Sequence, residues 1–496
     1  MNYDELKSGT DVRGTALDIK GGKVNLTLTA VRDIAAAFGV FLKARNPKAS
    51  VIAVGGDSRL STPDIRDTVA KTLAGEGYDV LDCGLCSTPS MFMITKLGDK
   101  KADASVMVTA SHHPSDKNGL KFFLPSGGLS GGEISEILRL ANAGEKIENA
   151  GSGKIDKYDF MDVYCAFLRD KVKTAVGSDK PLEGMKIVVD AGNGAGAFYV
   201  DRILKPLGAD TTGSRFLEPD GSFPNHIPNP ENPVAMEFIR EATVSSGADL
   251  GVIFDTDVDR AAVVDKTGKE INRNALIALI SAIILKEQKG ATIVTDSVTS
   301  DGLKAFIEAH GGVHHRFRRG YKNVIDEAVR LCGEGVNAPV AIETSGHAAL
   351  KENYFLDDGA YLVTRIIIEY AKLKKTGGEI ADLIADLHEA KEELEIRLGF
   401  KTDNWREYGD AVIESIKDIK HTGFVVAPDN HEGVRVSIPA LEGWFLVRMS
   451  VHDPIMPINI ESDLSGGAKK IADLLLTYLG EFEGLNVAPL EKAVKD

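Results

Sequence analysis

The chain has 496 residues, 43% hydrophobic and 26% charged, which is the composition of a globular protein too long for a single core. Its formal net charge of −15 offers no basic field, and this argues against a nucleic acid or an anionic membrane as a partner. No apolar run reaches the roughly 18 residues of a membrane span, and the N-terminus has no signal-peptide pattern, so we expect a cytoplasmic protein.

The four cysteines are too few and too scattered for a disulfide framework, which suits a reducing compartment. Two of them, Cys83 and Cys86, have the spacing of a redox dithiol. Ser87, Thr88 and Pro89 follow directly, so no helix begins at Cys83 to activate its thiol. This context argues against a redox site.

Strands and helices alternate over the first 180 residues, which favours a mixed or parallel sheet with helices on its faces. The predicted elements are strands at Val51–Val54 and Tyr78–Leu81 and helices near Leu28–Lys43, Thr62–Gly75 and 156–174.

One buried strand of this unit runs into a polar loop. The apolar, β-branched stretch Val106–Thr109 is followed by Ser111, His112 and His113, and a turn-rich segment then leads to Lys121. A serine hydroxyl is a weak nucleophile unless a base, a cation or a metal activates it, and imidazoles and a lysine are close in sequence here. The same pattern also fits a loop whose Ser and His only cap backbone groups.

A second unit covers residues 181–290 and has predicted strands at Lys186–Val189 and Leu250–Phe254. The first strand ends in DAGNGAG, but its glycines are spaced two residues apart throughout, which does not match a dinucleotide-binding fingerprint. We therefore expect no nucleotide there.

The strand Leu250–Phe254 ends in an acidic loop that carries Asp255, Asp257 and Asp259. Three carboxylates at alternate positions can converge on one hard cation, and oxygen ligands suit Mg²⁺. A calcium hand does not fit, because Arg260 stands where that motif needs glycine and Lys266 where it needs glutamate. A solvated acidic turn is the alternative.

A third unit, residues 291–390, begins with a predicted strand at Ala291–Val294. Later in it, the strand Val340–Ile342 leads into Glu343, Ser345 and His347. On an extended backbone these three side chains would project to one side and could hydrogen-bond sugar hydroxyls; a structural role for His347 is the alternative. A cluster of basic residues lies upstream: Arg316, Arg318, Arg319 and Lys322. These side chains either face a ligand or form a solvated turn.

Residues 391–496 have the pattern of an α+β domain with an antiparallel sheet. The predicted elements are a leading helix at Leu387–Ile396, a second helix, strands near Val434–Ile438, Trp444–Met449 and Ile455–Ile460, and a final helix at Lys469–Tyr478. The loop after Trp444–Met449 contains Arg448, Ser450 and His452, and an arginine fork with hydroxyl and imidazole donors suits a phosphate.

Four loops resemble, in order, those of the α-D-phosphohexomutases, the phosphoglucomutase/phosphomannomutase superfamily. TASHHPSDKNGLK is similar to the phosphoserine loop TASHNP…NG.K, DTDVDR to the metal loop DGD.DR, ETSGH to the sugar loop GE.SGH, and RMSVHDP to the phosphate loop R.SNTEP. The sequence departs from these motifs at His113, where Asn is usual, and at His452 and Asp453, where Thr and Glu are usual.

The resemblance covers nearly the whole chain and implies the family's architecture. We expect three related mixed α/β domains, residues 1–180, 181–290 and 291–390, and a C-terminal α+β domain, residues 391–496, around a central active-site cleft.

The resemblance also implies roles for individual residues. Ser111 would carry the phosphoryl group and, with Asp255, Asp257 and Asp259, hold Mg²⁺, beside which Arg260 lies. The implied catalytic residues are Ser111, His112, Lys121, Arg13 and His347, and the implied substrate-binding residues are Glu343, Ser345, His347, Lys322, Arg448, Ser450 and His452.

The activity implied is that of a Mg²⁺-dependent mutase that interconverts hexose 1-phosphate and hexose 6-phosphate, of mannose or glucose, through phospho-Ser111 and a 1,6-bisphosphate. Three alternatives stay open: a phosphoglucosamine mutase, a catalytically silent sugar-phosphate-binding protein, which His113 and His452 suggest, and a metal-dependent phosphatase with Ser111 as its nucleophile. In each case the expected partner is a small sugar phosphate.

Overall fold

The computed structural model describes residues 2–19, 21–148, 150–417, 423–428, 430–450 and 453–495. The chain divides into two compact units, residues 1–280 with 345–383 and residues 281–344 with 384–496. Within the described ranges, no helix combines the length and the apolar character needed to span a membrane.

The first unit begins with an eight-stranded mixed sheet. Its strands are β1 (Lys7–Ser8), β2 (Asp11–Thr15), β3 (Val51–Gly56), β4 (Asp79–Leu85), β5 (Ala104–Val108), β6 (Lys117–Leu124), β7 (Gly127–Gly128) and β8 (Ile155–Lys157). The order is β1-β2-β6-β5-β3-β4-β8, with β7 beside β6. Because β3 and β5 are parallel neighbours, the loops that follow them lie at the same edge of the sheet, and this edge carries Ser111.

Five helices belong to this part of the chain: α1 (Leu28–Arg45), α2 (Thr62–Gly75), α3 (Thr88–Met93), α4 (Gly131–Ala143) and α5 (Phe160–Val176). Their starts follow capping rules, since Thr27 caps α1 and Ser130 forms a capping box with Glu133 at α4. The apolar faces of α1, α2 and α4 pack on the sheet in one core that includes Phe38, Ile52 and Val106.

The second sheet of this unit has four strands in the order β12-β11-β10-β9. These are β9 (Ile187–Asp190), β10 (Leu250–Phe254), β11 (Ala261–Asp265) and β12 (Glu270–Ile271), and they are accompanied by helix α6 (Pro233–Ser246) and a π-helical turn at Tyr199–Leu204. Helix α7 (Arg273–Glu287) follows, and the division of the chain into two units falls within it. Strands β10 and β11 are antiparallel and entirely buried, so the acidic loop that joins them leaves the core at a fixed point.

Residues 292–342 belong to the second unit and form three parallel strands, with β13 between β14 and β15. The elements are β13 (Thr292–Asp296), α8 (Asp301–Ala309), β14 (Val313–Phe317), α9 (Tyr321–Gly333) and β15 (Val340–Ile342).

Residues 345–383 return to the first unit. They form the antiparallel pair β16 (Ala348–Leu350) and β17 (Leu356–Asp357) and the buried helix α10 (Gly359–Lys374). Asp358 caps α10 by accepting a hydrogen bond from the Tyr361 amide.

The C-terminal part of the second unit is an antiparallel six-stranded sheet in the order β19-β20-β21-β22-β18-β23. Its elements are β18 (Glu392–Phe400), α11 (Trp405–Lys417), β19 (Val425–Val426), β20 (Val434–Ile438), β21 (Gly443–Val447), β22 (Ile455–Ser462), α12 (Gly467–Leu479), β23 (Leu485–Asn486) and α13 (Ala488–Lys495). Single 3-10 turns lie at Tyr3–Leu6, Lys351–Asn353, Ile380–Ile384 and Pro439–Leu441.

The predicted α/β class with an α+β C-terminal region is confirmed, and most predicted elements lie within two or three residues of their observed bounds. The predicted boundaries near 180, 290 and 390 fall outside the regular strands, and as domain boundaries they stay a prediction.

The predicted helix at Leu387–Ile396 is wrong, because Glu392–Phe400 is strand β18. Its Ile396 and Leu398 point into the core while Glu393, Glu395 and Arg397 stay more exposed, so an alternation with a period of two overrides the helix propensity of Glu and Leu. The predicted final helix exists as α12, but α13 follows it.

Candidate active site

Ser111 lies just beyond the end of β5 and is 3% exposed. Its backbone has a φ of 50°, in the left-handed region that L-residues other than glycine seldom adopt. Its Oγ donates a hydrogen bond to Oδ2 of Asp255 at 3.0 Å and accepts one from Nη2 of Arg260 at 3.2 Å. The hydroxyl is therefore held between a carboxylate and a guanidinium group.

The three predicted metal ligands converge. One carboxylate oxygen from each of Asp255, Asp257 and Asp259 lies within 4.8 Å of the others, and all three side chains are buried. Oδ1 of Asp257 and Oδ1 of Asp259 accept no hydrogen bond from any residue that the structure describes. Buried, unsatisfied carboxylate oxygens at this separation fit a hard divalent cation.

Two cations balance part of this negative charge. Nζ of Lys121 lies 2.6 Å from Oδ2 of Asp259 and 3.3 Å from Oδ2 of Asp257. The guanidinium of Arg260, which is almost fully buried, ion-pairs with Asp255 at 3.3 Å. Lys121 and Arg260, both predicted site residues, thus hold the acidic loop together.

The pKa values of Asp255 and Asp259 are shifted in opposite directions, because the charged groups around the two carboxyls differ. Burial raises the pKa of Asp255 well above its usual value, and the nearby Asp259 and Asp257 raise it further. Burial acts in the same direction on Asp259, but Lys121 and His347 outweigh it and lower the pKa of that carboxyl. Without a bound cation, these surroundings favour protonation of Asp255 over protonation of Asp259.

His347 joins this cluster through Asp357, a residue that the sequence did not single out. Its Nδ1 lies 2.5 Å from Oδ2 of Asp357 and 3.9 Å from Oδ1 of Asp259. Burial lowers the pKa of His347, but the two carboxylates more than compensate and raise it to about 9. The imidazole is therefore protonated at neutral pH.

The extended backbone expected at Glu343–His347 is not observed. The segment is a turn in which Gly346 has a φ of 92°, and a Cβ on that residue would lie 2.8 Å from the carbonyl oxygen of Ala261. The turn brings His347 against Arg260 in a backbone bridge. Ser345 is buried in the same turn.

The remaining predicted residues of the first unit lie near the Ser111 loop. Nδ1 of His112 is 3.3 Å from Oγ of Ser111, and burial, aided by Arg260, lowers the pKa of this histidine well below its usual value. Burial, with Arg13 next, lowers the pKa of His113 to about 4. Arg13 donates to Asp11 at 2.7 Å. Both histidines are therefore neutral at physiological pH.

In the second unit, the predicted sugar-binding Glu343 lies at the end of β15. Its Oε1 accepts a hydrogen bond from the amide of Gly320 at 2.5 Å. The next residue, Thr344, donates its hydroxyl to Asp296 at the end of β13, at 2.8 Å. The carboxyl ends of two parallel strands thus carry carboxylates at one edge.

The predicted phosphate-binding Arg448 is buried in this unit and faces Glu432 at 3.8 Å. Glu432 also accepts hydrogen bonds from the hydroxyl of Ser297 at 2.5 Å and from the amide of Arg319 at 3.0 Å. Nε of Arg448 is buried and has no hydrogen-bond partner among the described residues. A buried guanidinium nitrogen of this kind is suited to an anion.

The other predicted ligands have less distinctive surroundings. Ser450 accepts a hydrogen bond from the Asp453 amide at 3.2 Å. Lys322 is paired with Asp326 one turn along α9. His452 lies outside the described residues, so its predicted role in phosphate binding stays a prediction.

Sequence reasoning assigned no role to several residues that shape the site. Thr88 donates its hydroxyl to Oδ2 of Asp257 at 2.5 Å and its amide to the carbonyl of Asp257 at 2.8 Å, which fixes this ligand from the start of α3. Asp357 orients His347, and Arg59 binds the Ser111 loop. Two signals in the sequence pointed to Arg59: its match to an arginine of the family's first-domain loops and its place shortly after the predicted strand Val51–Val54.

Comparison with known proteins matches most of the chain to one family. Residues 8–148, 162–268 and 272–388 match the models of phosphoglucomutase/phosphomannomutase alpha/beta/alpha domains I, II and III.

Individual relatives agree with these matches. A phosphomannomutase/phosphoglucomutase of Pseudomonas putida is 30% identical over 429 residues, which cover 86% of this chain and 87% of the relative. A phosphoglucomutase of Neisseria gonorrhoeae is 30% identical over 460 residues, 92% of this chain and 94% of the relative. The crystal structure of a phosphoglucomutase/phosphomannomutase family protein from Burkholderia thailandensis has a TM-score of 0.82 at 28% identity and covers 98% of this chain and 99% of its own.

Proposed function

Because the chain belongs to the phosphoglucomutase/phosphomannomutase family of the α-D-phosphohexomutase superfamily, we propose that it moves a phosphoryl group between C1 and C6 of glucose or mannose. The observation that supports this most directly is the position of Ser111. The acidic triad is formed by the buried Asp255, Asp257 and Asp259. Oγ of Ser111 lies 3.0 Å from Oδ2 of Asp255 and 3.2 Å from Nη2 of Arg260, as a phosphoryl carrier beside a metal site requires.

We assign Mg²⁺ to Asp255, Asp257 and Asp259, since the unsatisfied oxygens of the triad are hard ligands. When bound there, the cation would neutralise charge on a phosphoryl group carried by Ser111. Lys121, Thr88 and Arg260 hold the three carboxylates in place.

In the proposed reaction, phospho-Ser111 gives its phosphoryl group to a sugar hydroxyl. The bond from Oγ to phosphorus breaks and a bond from the sugar oxygen to phosphorus forms. The sugar hydroxyl loses its proton to a base, and Oγ takes up a proton to become the Ser111 hydroxyl. The hexose 1,6-bisphosphate then reverses its orientation and returns its other phosphoryl group to Ser111. Arg260 and Arg13 contribute positive charge for the transferring group.

The charge state of His347 fits a role as a proton donor. His347, with a pKa raised to about 9 by Asp357 and Asp259 against the effect of burial, holds a proton that it can give. His112 is neutral, because burial lowers its pKa, and the same shift makes its imidazole a weak base. Lys121 is a further candidate for proton transfer.

For the substrate, we propose that Glu343, Ser345 and His347 bind sugar hydroxyls. Arg448 and Ser450 would bind a phosphate of the substrate, with Lys322 and His452 as additional donors. The buried, unsatisfied Nε of Arg448 supports the phosphate role.

The test is conversion of purified hexose 1-phosphates to 6-phosphates in the presence of Mg²⁺. Glucose, mannose and glucosamine 1-phosphates form the panel, and released inorganic phosphate is measured in parallel. We expect isomer without stoichiometric phosphate release for glucose or mannose. Release of phosphate without isomer would indicate a phosphatase, and absence of both, with no phosphate on Ser111 by intact mass, would indicate a silent binding protein.

A further inference from the structure

Arg59, which is 1% exposed, binds the backbone of the Ser111 loop at four points. Its Nη1 donates to the carbonyls of Pro114 at 2.7 Å and Lys117 at 3.0 Å, and its Nη2 donates to the carbonyls of His113 at 2.6 Å and Ser111. Both terminal nitrogens of one guanidinium group are thus committed to a single loop.

The guanidinium is itself fixed by Asp57. Oδ2 of Asp57 lies 3.2 Å from Nε of Arg59, and Oδ1 accepts a hydrogen bond from the Arg59 amide at 3.0 Å. The side chains of both residues have no exposed surface. Asp57 therefore directs the two terminal nitrogens of the Arg59 guanidinium group toward the loop.

Asp57 also reaches Ser111 from the other side. Its Oδ2 accepts a hydrogen bond from the hydroxyl of Thr109 at 2.7 Å, and this hydroxyl accepts one from the Ser111 amide at 2.8 Å. The amide and the carbonyl of Ser111 are consequently both bound to the network of Asp57, Arg59 and Thr109.

The residue that is bound at both its amide and its carbonyl, Ser111, is also the residue with the strained backbone. Ser111 has a φ of 50°, a conformation that persists only where the surroundings determine it. Its backbone conformation sets the direction of its Cβ, and hence the place of Oγ beside Asp255 and Arg260. A relaxed backbone would move Oγ away from these partners.

We propose that Arg59 is a positioning residue for phosphoryl transfer: through four loop carbonyls it holds Ser111 in the left-handed conformation that directs Oγ to the acidic triad. The proposal rests on the function proposed for Ser111. Lysine cannot replace Arg59, because an ammonium group lacks the planar fork that reaches two pairs of carbonyls at once.

The experiment measures phosphoryl transfer in a single turnover. Enzyme with ³²P on Ser111 is mixed with saturating hexose 1-phosphate, and loss of label from the protein is followed by rapid quench. For Arg59→Lys we expect the rate constant to fall about 100-fold, the effect of a misplacement of about 1 Å, with an unchanged Mg²⁺ midpoint. Because the rate constant refers to phosphorylated molecules only, partial unfolding does not change it.

Two controls separate positioning from general stability. Arg66→Lys makes the same chemical change on α2, where Arg66 pairs with Asp82 at 3.0 Å, and should leave the rate constant unchanged. Thr109→Val removes the hydroxyl that binds the Ser111 amide and should also slow transfer, whereas Thr109→Ser keeps the hydroxyl and should restore it.

If Arg59→Lys does not fold, the Thr109 pair decides the proposal. A rate constant within about threefold of the wild type in Arg59→Lys, or in Thr109→Val when only that variant folds, would overturn it and leave the network as a stabilising brace. A separate result would contradict the proposed function: a wild-type protein with neither mutase activity nor phosphate on Ser111.

Discussion

The clusters around Ser111 and around Arg448 contain the same two kinds of side chain, carboxylates and cations, but they differ in which buried atoms are unsatisfied. Around Ser111, Oδ1 of Asp257 and Oδ1 of Asp259 have no hydrogen-bond partner among the described residues. Around Arg448, the corresponding orphan is a guanidinium nitrogen, Nε of Arg448 itself. Nε of Arg59, beside the Ser111 loop, is unsatisfied by the described residues as well. The difference therefore lies in the carboxylates: only the cluster around Ser111 has buried carboxylate oxygens that no described residue satisfies.

This difference indicates what each cluster binds. Leaving a buried donor or acceptor unpaired is costly, so a ligand of the missing kind is bound favourably where such atoms persist. A cation suits the first cluster and an anion the second. The division of roles proposed for metal and phosphate is therefore supported by the unsatisfied carboxylate oxygens as well as by family resemblance.

Removal of the Ser111 hydroxyl should have the largest effect. Ser111→Ala keeps both clusters but removes the atom that carries the phosphoryl group, so we expect turnover to fall by more than about 10³-fold. Steady-state mutase assays and intact mass measure this. The matched control is Ser115→Ala in the same loop, which should retain both activity and phosphate; near-native turnover in Ser111→Ala would contradict the carrier role.

Replacing Asp257, whose Oδ1 has no hydrogen-bond partner among the described residues, tests whether the cluster around Ser111 binds a cation. Asp257→Asn supplies a neutral amide, a poorer ligand for a hard cation, so the Mg²⁺ concentration for half-maximal activity should rise about 10- to 100-fold. Glu270→Gln, a half-buried carboxylate on β12 outside the triad, is the control. An unchanged Mg²⁺ midpoint in Asp257→Asn would remove this aspartate from the metal site.

Replacing Arg448, whose Nε has no hydrogen-bond partner among the described residues, tests whether the second cluster binds an anion. Arg448→Gln should raise the KM for hexose phosphate roughly 10-fold or more, as loss of a hydrogen bond to a charged group does, with a smaller change in kcat. Its Mg²⁺ midpoint should not change. Arg397→Gln, an exposed arginine on β18, is the control, and an unchanged KM in Arg448→Gln would show that the phosphate binds elsewhere.

The parts of the site that were predictable depend on neighbours in sequence. Asp255, Asp257 and Asp259 alternate on one loop after a buried strand, so their convergence follows from local geometry, and it is confirmed. The same is true of most strands and helices, whose periodicity reports burial directly.

The parts that were missed depend on contacts distant in sequence. Arg59 binds carbonyls more than 50 residues away, and no pattern in the chain reports which carbonyls a buried guanidinium will reach. The turn at Gly346 is imposed by the backbone of Ala261, which local propensity cannot register. At β18, tertiary burial outweighed a helix-forming composition.

The smallest expected effect concerns stability and contrasts two adjacent carboxylates. Asp357 faces the protonated imidazole of His347. Among the residues that the structure describes, the hydrogen-bond donors to Asp358 are neutral: the hydroxyl of Tyr164 at 2.7 Å, the amide of Asn353 at 2.9 Å and the backbone amide of Tyr361 at 2.8 Å. Burial raises the pKa of Asp358 from 3.8 to about 6, because these neutral donors only partly offset it.

A carboxyl whose pKa is raised by folding disfavours the folded state when it ionises. The penalty is small below the unfolded pKa of 3.8, grows as the pH rises toward about 6, and is complete above that value. A shift of this size corresponds to at most about 3 kcal/mol at neutral pH. In Asp358→Asn the position is neutral at every pH, and Asn353, whose Oδ1 has no partner among the described residues, can rotate its amide to accept from the new NH₂ group.

We therefore expect the stability of Asp358→Asn relative to the wild type to rise between about pH 4 and pH 6 and to level off above, with little change in mutase activity. Urea unfolding at a series of pH values measures this difference. The control is Asp67→Asn, an exposed carboxylate on α2 that pairs with Lys71. Its difference from the wild type should change by no more than about 0.5 kcal/mol over the same range, the size of such a surface pair. A flat difference for Asp358→Asn would mean that Asp358 titrates normally, and that neutral donors alone satisfy a buried carboxylate as well as the cations around Ser111 do.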